Sequence, residues 1–303
     1  MNKDIANGDL RVFAAAVRRS SFAGAADELG MSPAYVSKRI AILEEALGVR
    51  LFHRNTRRVV VSADGEQVYA RALSILASLD GLFDEVAERQ GVPRGQLRIS
   101  SSFGFGRNVV APAIARLVAA HPALQVRFEV LDRLVDIVGE GFDLDIRVGE
   151  DIEPHLIARK LMDNHRILCA APAYLARRGT PRALAELAGH DCLPIKERDL
   201  PFGVWRLRHG ATEEVVKVTG PLSTNHGEIA LQWAVAGAGI VLRSLWDAQP
   251  YLDRGELVQV LPAYTQQANV WAVYPERLAS SAKVRVCVDF LEQHLACDNK
   301  LPV

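Results

Sequence analysis

The sequence predicts an α/β chain in three parts: an N-terminal winged helix-turn-helix, a long linker helix, and a two-lobed α/β domain. Three observations carry this. Apolar residues recur at spacings of three and four through the first ninety residues. Short β-branched runs then alternate with helical stretches over the last two hundred. Finally, charge is unevenly spread. The chain is neutral as a whole, yet residues 1–62 hold ten Lys/Arg against six Asp/Glu, leaving the remainder at −4. A basic first part on a mildly acidic body points to a polyanion partner for that part alone.

In the first part, Leu10, Phe13 and Val17 lie on one face of an amphipathic helix. Ser20-Ser21 stops it and caps a short second helix, Phe22 to Leu29, whose small residues permit close helix approach. Gly30 supplies a left-handed stop. Ser32 is a good N-cap with Pro33 at the first helical position, where its missing N–H costs nothing. The third helix should run to Leu47 and end at Gly48. Val36, Ile40, Leu43 and Leu47 form its buried stripe.

At ~100° per residue, Ala34, Tyr35, Lys38, Ala41 and Ile42 fall on the opposite side, with Ser37 and Arg39 flanking the stripe. With Ser32 and Pro33, that helix start is small, aromatic and basic, as a major-groove reader requires. A turn carrying Arg50, His53, Arg54, Asn55, Thr56, Arg57 and Arg58 then leads into Val59-Val60-Val61. It reads as a wing that grips phosphates. An isolated run of this kind would more simply be a solvated surface; its place after a helix-turn-helix argues for the wing.

These sixty residues closely resemble the LysR-type transcriptional regulators. The resemblance rests on Phe13, Ser20-Ser21-Phe22, Ala25-Ala26, Leu29, Ser32, Val36-Ser37, Ile40, Leu43-Glu44, Leu47-Gly48, Leu51-Phe52, Arg54 and Thr56-Arg57-Arg58. One departure concerns the bases read. The family commonly has Gln where Pro33 stands and Pro where Ala34 stands, so a usual base-reading amide is missing. The resemblance implies double-stranded promoter DNA as a partner.

Ser62 should cap a linker helix over 63–90, with Asp64 in its favourable first turn. Val68, Ala72, Ile75, Leu79, Leu82 and Val86 repeat at four, three, four, three and four, an a/d seam over nearly three heptads. A single surface helix buried on one side would show the same stripe. The resemblance favours a dimer helix. It also implies a homotetramer through the C-terminal domains and leaves RNA polymerase open as a further partner. Paired winged domains would read an inverted repeat with half-sites about one helical turn apart, or a multiple. Gly91 to Arg94 is the hinge.

Beyond it, strands are expected at Leu97–Ser100, Val126–Leu131, Leu144–Val148, Ile167–Ala171, Val215–Thr219, Ile240–Leu242 and Asn269–Tyr274. Helices are expected at Arg107–His121, Leu134–Glu140, Pro172–Arg178, His226–Ala236 and Ser281–Leu295. The alternation argues a mainly parallel sheet and two lobes. By resemblance the domain is periplasmic-binding-protein-like and spans 95–303. Lobe I takes about 95–165 and 267–303, and lobe II about 166–266.

Ligands in such folds sit where strands end and helices begin. Ser100-Ser101-Ser102 precedes a glycine-bearing loop, and Ser223-Thr224-Asn225-His226-Gly227 leads into a helix. Both offer hydroxyls and N–H groups near positive helix ends, which favour carboxylate, although plain N-capping explains either. Arg147, at a strand end, would clamp a carboxylate or else pair with Asp145, Glu150 or Asp151. Arg133 and Lys196 are weaker candidates. The candidate effector-binding residues are thus Ser101, Ser102, Arg133, Arg147, Lys196, Asn225 and His226. Trp205, Trp233 and Trp271 read as core or lobe packing. The stretches around Asp132-Arg133, Asp145 to Gly149 and Ser223 to Glu228 resemble a LysR subgroup that includes regulators of D-malate and tartrate metabolism. That likeness implies a small hydroxy-dicarboxylate effector.

Other classes fit less well. No nucleophile elbow, P-loop or paired metal-ligand spacing occurs, and Gly104-Phe105-Gly106 lacks the third glycine of a dinucleotide site, so no enzyme, cofactor or metal is expected. The four cysteines lack metal-ligand spacing and read as buried small hydrophobes. The longest apolar run, Ala230 to Leu242, has 13 residues, too few for the ~18 of a membrane span. Met1 to Ile5 has no secretion pattern, so a cytoplasmic protein is expected. A transport-class binding protein would account for the two lobes but not for the helix-turn-helix. An effector-independent DNA binder would leave the cleft without a role.

Overall fold

The computed structural model describes residues 5–55, 58–89, 93–196, 202–279 and 281–298. Helices α1 (Asn7–Arg19), α2 (Phe22–Leu29) and α3 (Pro33–Leu47) precede a hairpin of β1 (Phe52–Asn55) and β2 (Arg58–Val61). Local chemistry sets each boundary. Ser20 adopts the left-handed conformation that ends α1, and the Ser21 hydroxyl accepts the Gly24 N–H to start α2. Gly30 and Gly48, both at positive φ, close α2 and α3. Phe13 is fully buried, edge-on to Phe52 at 5.6 Å and to Tyr69 at 6.3 Å. Glu44 fastens the wing to α3: its carboxylate accepts the Leu51 N–H at 2.8 Å and pairs with Arg50 at 3.0 Å.

Helix α4 (Ala63–Arg89) starts on the Ser62 hydroxyl, which accepts the Gly65 N–H and donates to the Arg50 carbonyl. Gly65 cannot carry a Cβ, which would lie 2.2 Å from the Leu51 carbonyl oxygen. The apolar stripe of α4 divides. Ala72 and Leu76 are buried in the winged core and Val68 packs on it, whereas Ile75 and Leu82 are exposed. The expectation that Val68 and Ala72 belong to one continuous seam is therefore corrected. At 3.6 residues per turn one helix serves two faces, and the first turns serve the winged domain. The side chain of Val86, Gln90, and the hinge residues Gly91 and Val92 lie outside the described residues.

Two five-stranded sheets follow. The first has the order β4 (Leu124–Val130), β3 (Gly95–Ser101), β5 (Leu144–Val148), β12 (Val270–Pro275), β6 (Leu156–Met162). Strand β3 runs parallel to β4 and β5, and β12 antiparallel to β5 and β6. Between β3 and β4 the chain passes through α5 (Phe103–Phe105), a π-helical turn (Gly106–Val110) and α6 (Ala111–Ala120). The second sheet has the order β10 (Val241–Ser244), β7 (His165–Ala170), β11 (Val258–Gln267), β8 (Val204–His209), β9 (Thr212–Lys217), with antiparallel pairing throughout. Helices α7 (Pro172–Arg178), α8 (Gly227–Val235) and α9 (Leu245–Asp253) surround it. The last helix, α10 (Ala282–Asp298), returns to the first sheet, with Val284, Cys287, Val288 and Leu291 in that core.

The α/β fold stands, but two expectations do not. The sheets are mixed and antiparallel rather than mainly parallel, because β6, β8 and β11 carry few buried apolar residues and were invisible to periodicity. Residues 134–140 form an irregular stretch and a turn rather than a helix. Val135 and Ile137 are buried there at a spacing of two, and the Asp136 carboxylate accepts the Gly139 N–H in a tight local turn.

Candidate functional site

Helix α3 exposes its start. Ser32, Pro33, Ala34, Tyr35, Ser37 and Lys38 are all solvent-accessible, while Val36 and Ile40 are buried beneath them. The Ser32 hydroxyl accepts the Tyr35 N–H at 3.2 Å. Arg39 behaves differently: its guanidinium pairs with the buried Asp9 of α1. Arg39 thus ties α3 to α1, a correction to its reading, beside the buried stripe, as a DNA-binding residue. The wing hairpin pairs Phe52 with Val61 through Asn55 with Arg58. Thr56, Arg57 and the side chains of Arg54 and Arg58 lie outside the described residues.

The two lobes meet at a cleft with two connected spaces. An outer vestibule of about 830 Å³ is lined by Asp132, Arg133, His155, Lys196 and Asn225 among others. An inner chamber of about 80 Å³ shares Asp132 and Asn225 with it and adds Ser102, Arg166, Arg243 and Trp246. Asp132 joins the lobes: one oxygen accepts the Phe103 N–H at 2.8 Å, and the other stands 3.6 Å from His226 Nε2. Glu228 of α8 pairs with Arg107 at 2.8 Å and Asn108 at 3.0 Å across the same seam.

Arg243 is the notable group of the inner chamber. It is nine-tenths buried on β10, and its Nε donates to Asp247 at 2.5 Å. Burial pushes the Asp247 carboxyl above the usual carboxylate range, against the pull of this guanidinium. The guanidinium plane rests on Gly227, where a Cβ would lie 1.9 Å from Nη1, and close to Gly104. Glycine at 227 is therefore a condition for the arginine's position. Trp246 packs edge-on to Phe105 at 5.2 Å, and its buried indole N–H has no partner among the described residues.

The predicted cleft residues divide. Ser102 and Asn225 line the inner chamber, and Arg133 and Lys196 the vestibule. Arg133 is already held by Glu140. His226 borders the seam, with its ring 4.8 Å from Phe103. Two readings are corrected. Ser101 is buried and donates to the Ile146 carbonyl. Arg147 is fully buried, bound to Asp145 at 3.0 Å and Glu153 at 2.6 Å, so it braces a strand end instead of clamping a ligand. Arg166 and Arg243 were missed. Both sit on strands remote in sequence from the serine loop, although each stands one residue from the end of its strand, and ligand-facing residues gather near strand ends.

Among the described residues there is no group of three or more His, Cys, Asp or Glu able to hold a metal ion. Among the same residues no helix is long and apolar enough to cross a membrane. Burial pushes the thiols of Cys169, Cys192 and Cys287 up to about 12, which leaves them unreactive.

Residues 8–66 match the bacterial regulatory helix-turn-helix of the lysR family, and residues 90–296 match the LysR substrate binding domain. The HTH-type transcriptional regulator DmlR of Escherichia coli K12 is 58% identical, covering 95% of this chain and 94% of its own. The HTH-type transcriptional activator TtdR of the same strain is 50% identical over 93% and 91%. Among solved structures, CrgA of Neisseria meningitidis superposes with a TM-score of 0.60 at 30% identity, covering 95% of this chain and 98% of its own. Full-length AphB of Vibrio cholerae gives 0.61 at 25%, covering 95% and 99%. With a reading helix, a wing and a two-lobed cleft joined by one long helix, the chain belongs to the LysR family of DNA-binding transcriptional regulators.

Proposed function

We propose that this regulator senses a small hydroxy-dicarboxylate, such as malate or tartrate, in the inner chamber between its lobes. One observation carries the reading: Arg243, buried and locked over Gly227, lines a chamber of about 80 Å³ with Arg166, Ser102 and Asn225. The Arg243 guanidinium suits a carboxylate, and a hydroxyl and an amide suit the ligand's own hydroxyl; Arg166 at the chamber wall already donates to Gln266 at 2.7 Å. The likeness to DmlR and TtdR supports the same ligand class.

The remaining roles follow from this reading. Ser32 to Lys38 of α3 face the major groove, and Arg54, Thr56, Arg57 and Arg58 of the wing meet phosphates. Exposed Ile75 and Leu82 on α4 meet a second copy, giving a dimer that assembles further into a tetramer. Ligand closes the lobes on the Asp132–His226 and Arg107–Glu228 seam and so shifts the spacing of the winged domains. The protein acts in the cytoplasm and catalyses no reaction.

Thermal-shift titration of the full chain with malate stereoisomers and tartrates tests the ligand. At least one acid should raise the melting temperature of the wild type, and Arg243→Ala should abolish that rise. A full rise in Arg243→Ala, or none with any of these acids in the wild type, would sink the assignment.

A further inference from the structure

Residues 131–142 run from the cleft to the linker helix. Their first end belongs to the cleft. The Leu131 N–H donates to the Ser101 carbonyl, and Asp132 meets Phe103 of the first lobe and His226 of the second. Their far end touches the N-terminal part of the molecule. The Tyr69 hydroxyl of α4 donates to the Gly139 carbonyl at 2.6 Å, and a Cβ on Gly141 would lie 3.1 Å from Cδ of Arg18 in α1.

Between these ends the segment is braced. Arg133 holds Glu140 through both terminal guanidinium nitrogens. The Glu140 carboxylate also accepts the Asp136 N–H at 3.1 Å, and the Asp136 carboxylate accepts the Gly139 N–H at 2.8 Å. Arg98 of β3 donates to the carbonyls of Glu140 and Gly141 at 2.9 and 3.2 Å. Val135, Ile137 and Phe142 are buried together. A stretch cross-linked in this way moves as one piece, so a shift at Asp132 reaches Gly139 instead of being absorbed by loop torsions.

Tyr69 stands where that shift arrives. Its ring is edge-on to Phe13, Phe13 is edge-on to Phe52, and Phe52 to Phe22 at 5.4 Å. Val36 and Ile40 of the reading helix belong to the same core. One side chain thus has its hydroxyl on the first lobe and its ring in the core beneath the reader. Burial pushes the Tyr69 phenol above its ordinary range, so it stays protonated and donating. Arg18 adds a second tie through its pair with Glu28 of α2 at 2.6 Å.

We propose that residues 131–142 form a lever between the cleft and the winged domain of the same chain, with Tyr69 as the positioning residue that couples them. The lever rests on the reading of the cleft as an acid site. Closure of the lobes on Asp132 and His226 displaces its first end, and the Tyr69 hydroxyl carries the movement into the winged core. By linkage the reverse holds too: DNA on the winged domain steadies the segment with no acid present.

Hydrogen exchange of the full-length protein, with and without a promoter fragment captured from genomic DNA, tests the lever without any acid. In the wild type, DNA should slow exchange across 134–142 by at least about threefold. Tyr69→Phe keeps the ring and loses only the hydroxyl. It should keep the wild-type circular dichroism and DNA affinity, yet show no slowing there. Glu140→Gln, which breaks the brace at Arg133, should lose the slowing as well and decides the matter if Tyr69→Phe folds poorly. No slowing in the wild type, or equal slowing in both variants, overturns the proposal. Val68→Ala loosens the winged core without touching the hydroxyl, and it should keep the slowing; a loss equal to that of Tyr69→Phe would trace the effect to the core and overturn the lever. With malate stereoisomers and tartrates, Tyr69→Phe should keep the acid-induced thermal shift and lose the acid-induced change in DNA affinity. A full change in affinity also overturns the lever. No acid effect in the wild type would instead sink the cleft ligand, and the exchange measurement would still decide the lever.

Discussion

The winged domain and the cleft build their binding surfaces in opposite ways. The proposed reading face is local: Ser32 to Lys38 lie within two turns of one helix, and the wing follows within twenty residues. Its supports are also short-range, as with Glu44 on Leu51 and Ser62 on Gly65. The inner chamber is assembled from residues as far apart as Ser102, Arg166, Asn225 and Arg243, on two lobes. A surface carried on one element can be read from its spacing. A surface carried on several distant segments exists only after folding. The difference also predicts separate responses to mutation.

The largest expected effect is in the winged core. Phe13→Ala removes a fully buried ring and should cost the domain about 3–5 kcal/mol. If the two regions respond separately, the acid-induced thermal shift of the lobes survives in this variant. Its loss would show that the regions unfold as one and would break the contrast. Next is Gly227→Ala, where the new Cβ must displace Arg243. We expect an intact fold by circular dichroism and no malate- or tartrate-induced shift. An undiminished shift would mean that the guanidinium does not hold the ligand.

A pH titration addresses the supports of the reader. Burial would raise the Glu28 pKa, but hydrogen bonds and charge from Arg18 and Arg19 outweigh it and hold the carboxyl below its ordinary 4.5. A carboxylate with a depressed folded pKa adds stability above its unfolded pKa, and that contribution is lost as pH falls through the folded value. Denaturant melts should therefore weaken below about pH 4.5, and Glu28→Gln should flatten that acid limb. The smallest effect is at the cap of the reading helix. Ser32→Ala should cost about 1 kcal/mol and leave the ligand response unchanged.

The same contrast explains what the sequence made legible. Helix α3 was readable from Ser32, Pro33 and Gly48 because caps are written in adjacent residues. The strand at Leu144–Val148 was readable because it is short and buried on both faces. Arg147 was singled out within that strand as a ligand clamp, and it proved to brace Asp145 and Glu153. Position at a strand end does not say which way a side chain turns. Arg243 gave no local signal, since its partners Gly227 and Asp247 gain meaning only when α8 and α9 fold over β10. Strands β8 and β11, with few buried apolar residues, lack the sustained alternation that periodicity detects. Arg39 flanks the buried stripe of α3 and read as part of the DNA-binding set; its partner Asp9 lies on another helix, α1.

The most direct test of the central claim couples both regions in one assay. Fluorescence anisotropy of a promoter fragment, captured by the protein from genomic DNA, would be measured with and without the acid selected by thermal shift. Wild type should change its DNA affinity or footprint on addition of the acid. Arg243→Ala should bind the same fragment but ignore the acid, and Lys38→Ala should bind weakly with a reduced salt slope. An acid response in Arg243→Ala equal to that of the wild type would contradict the account.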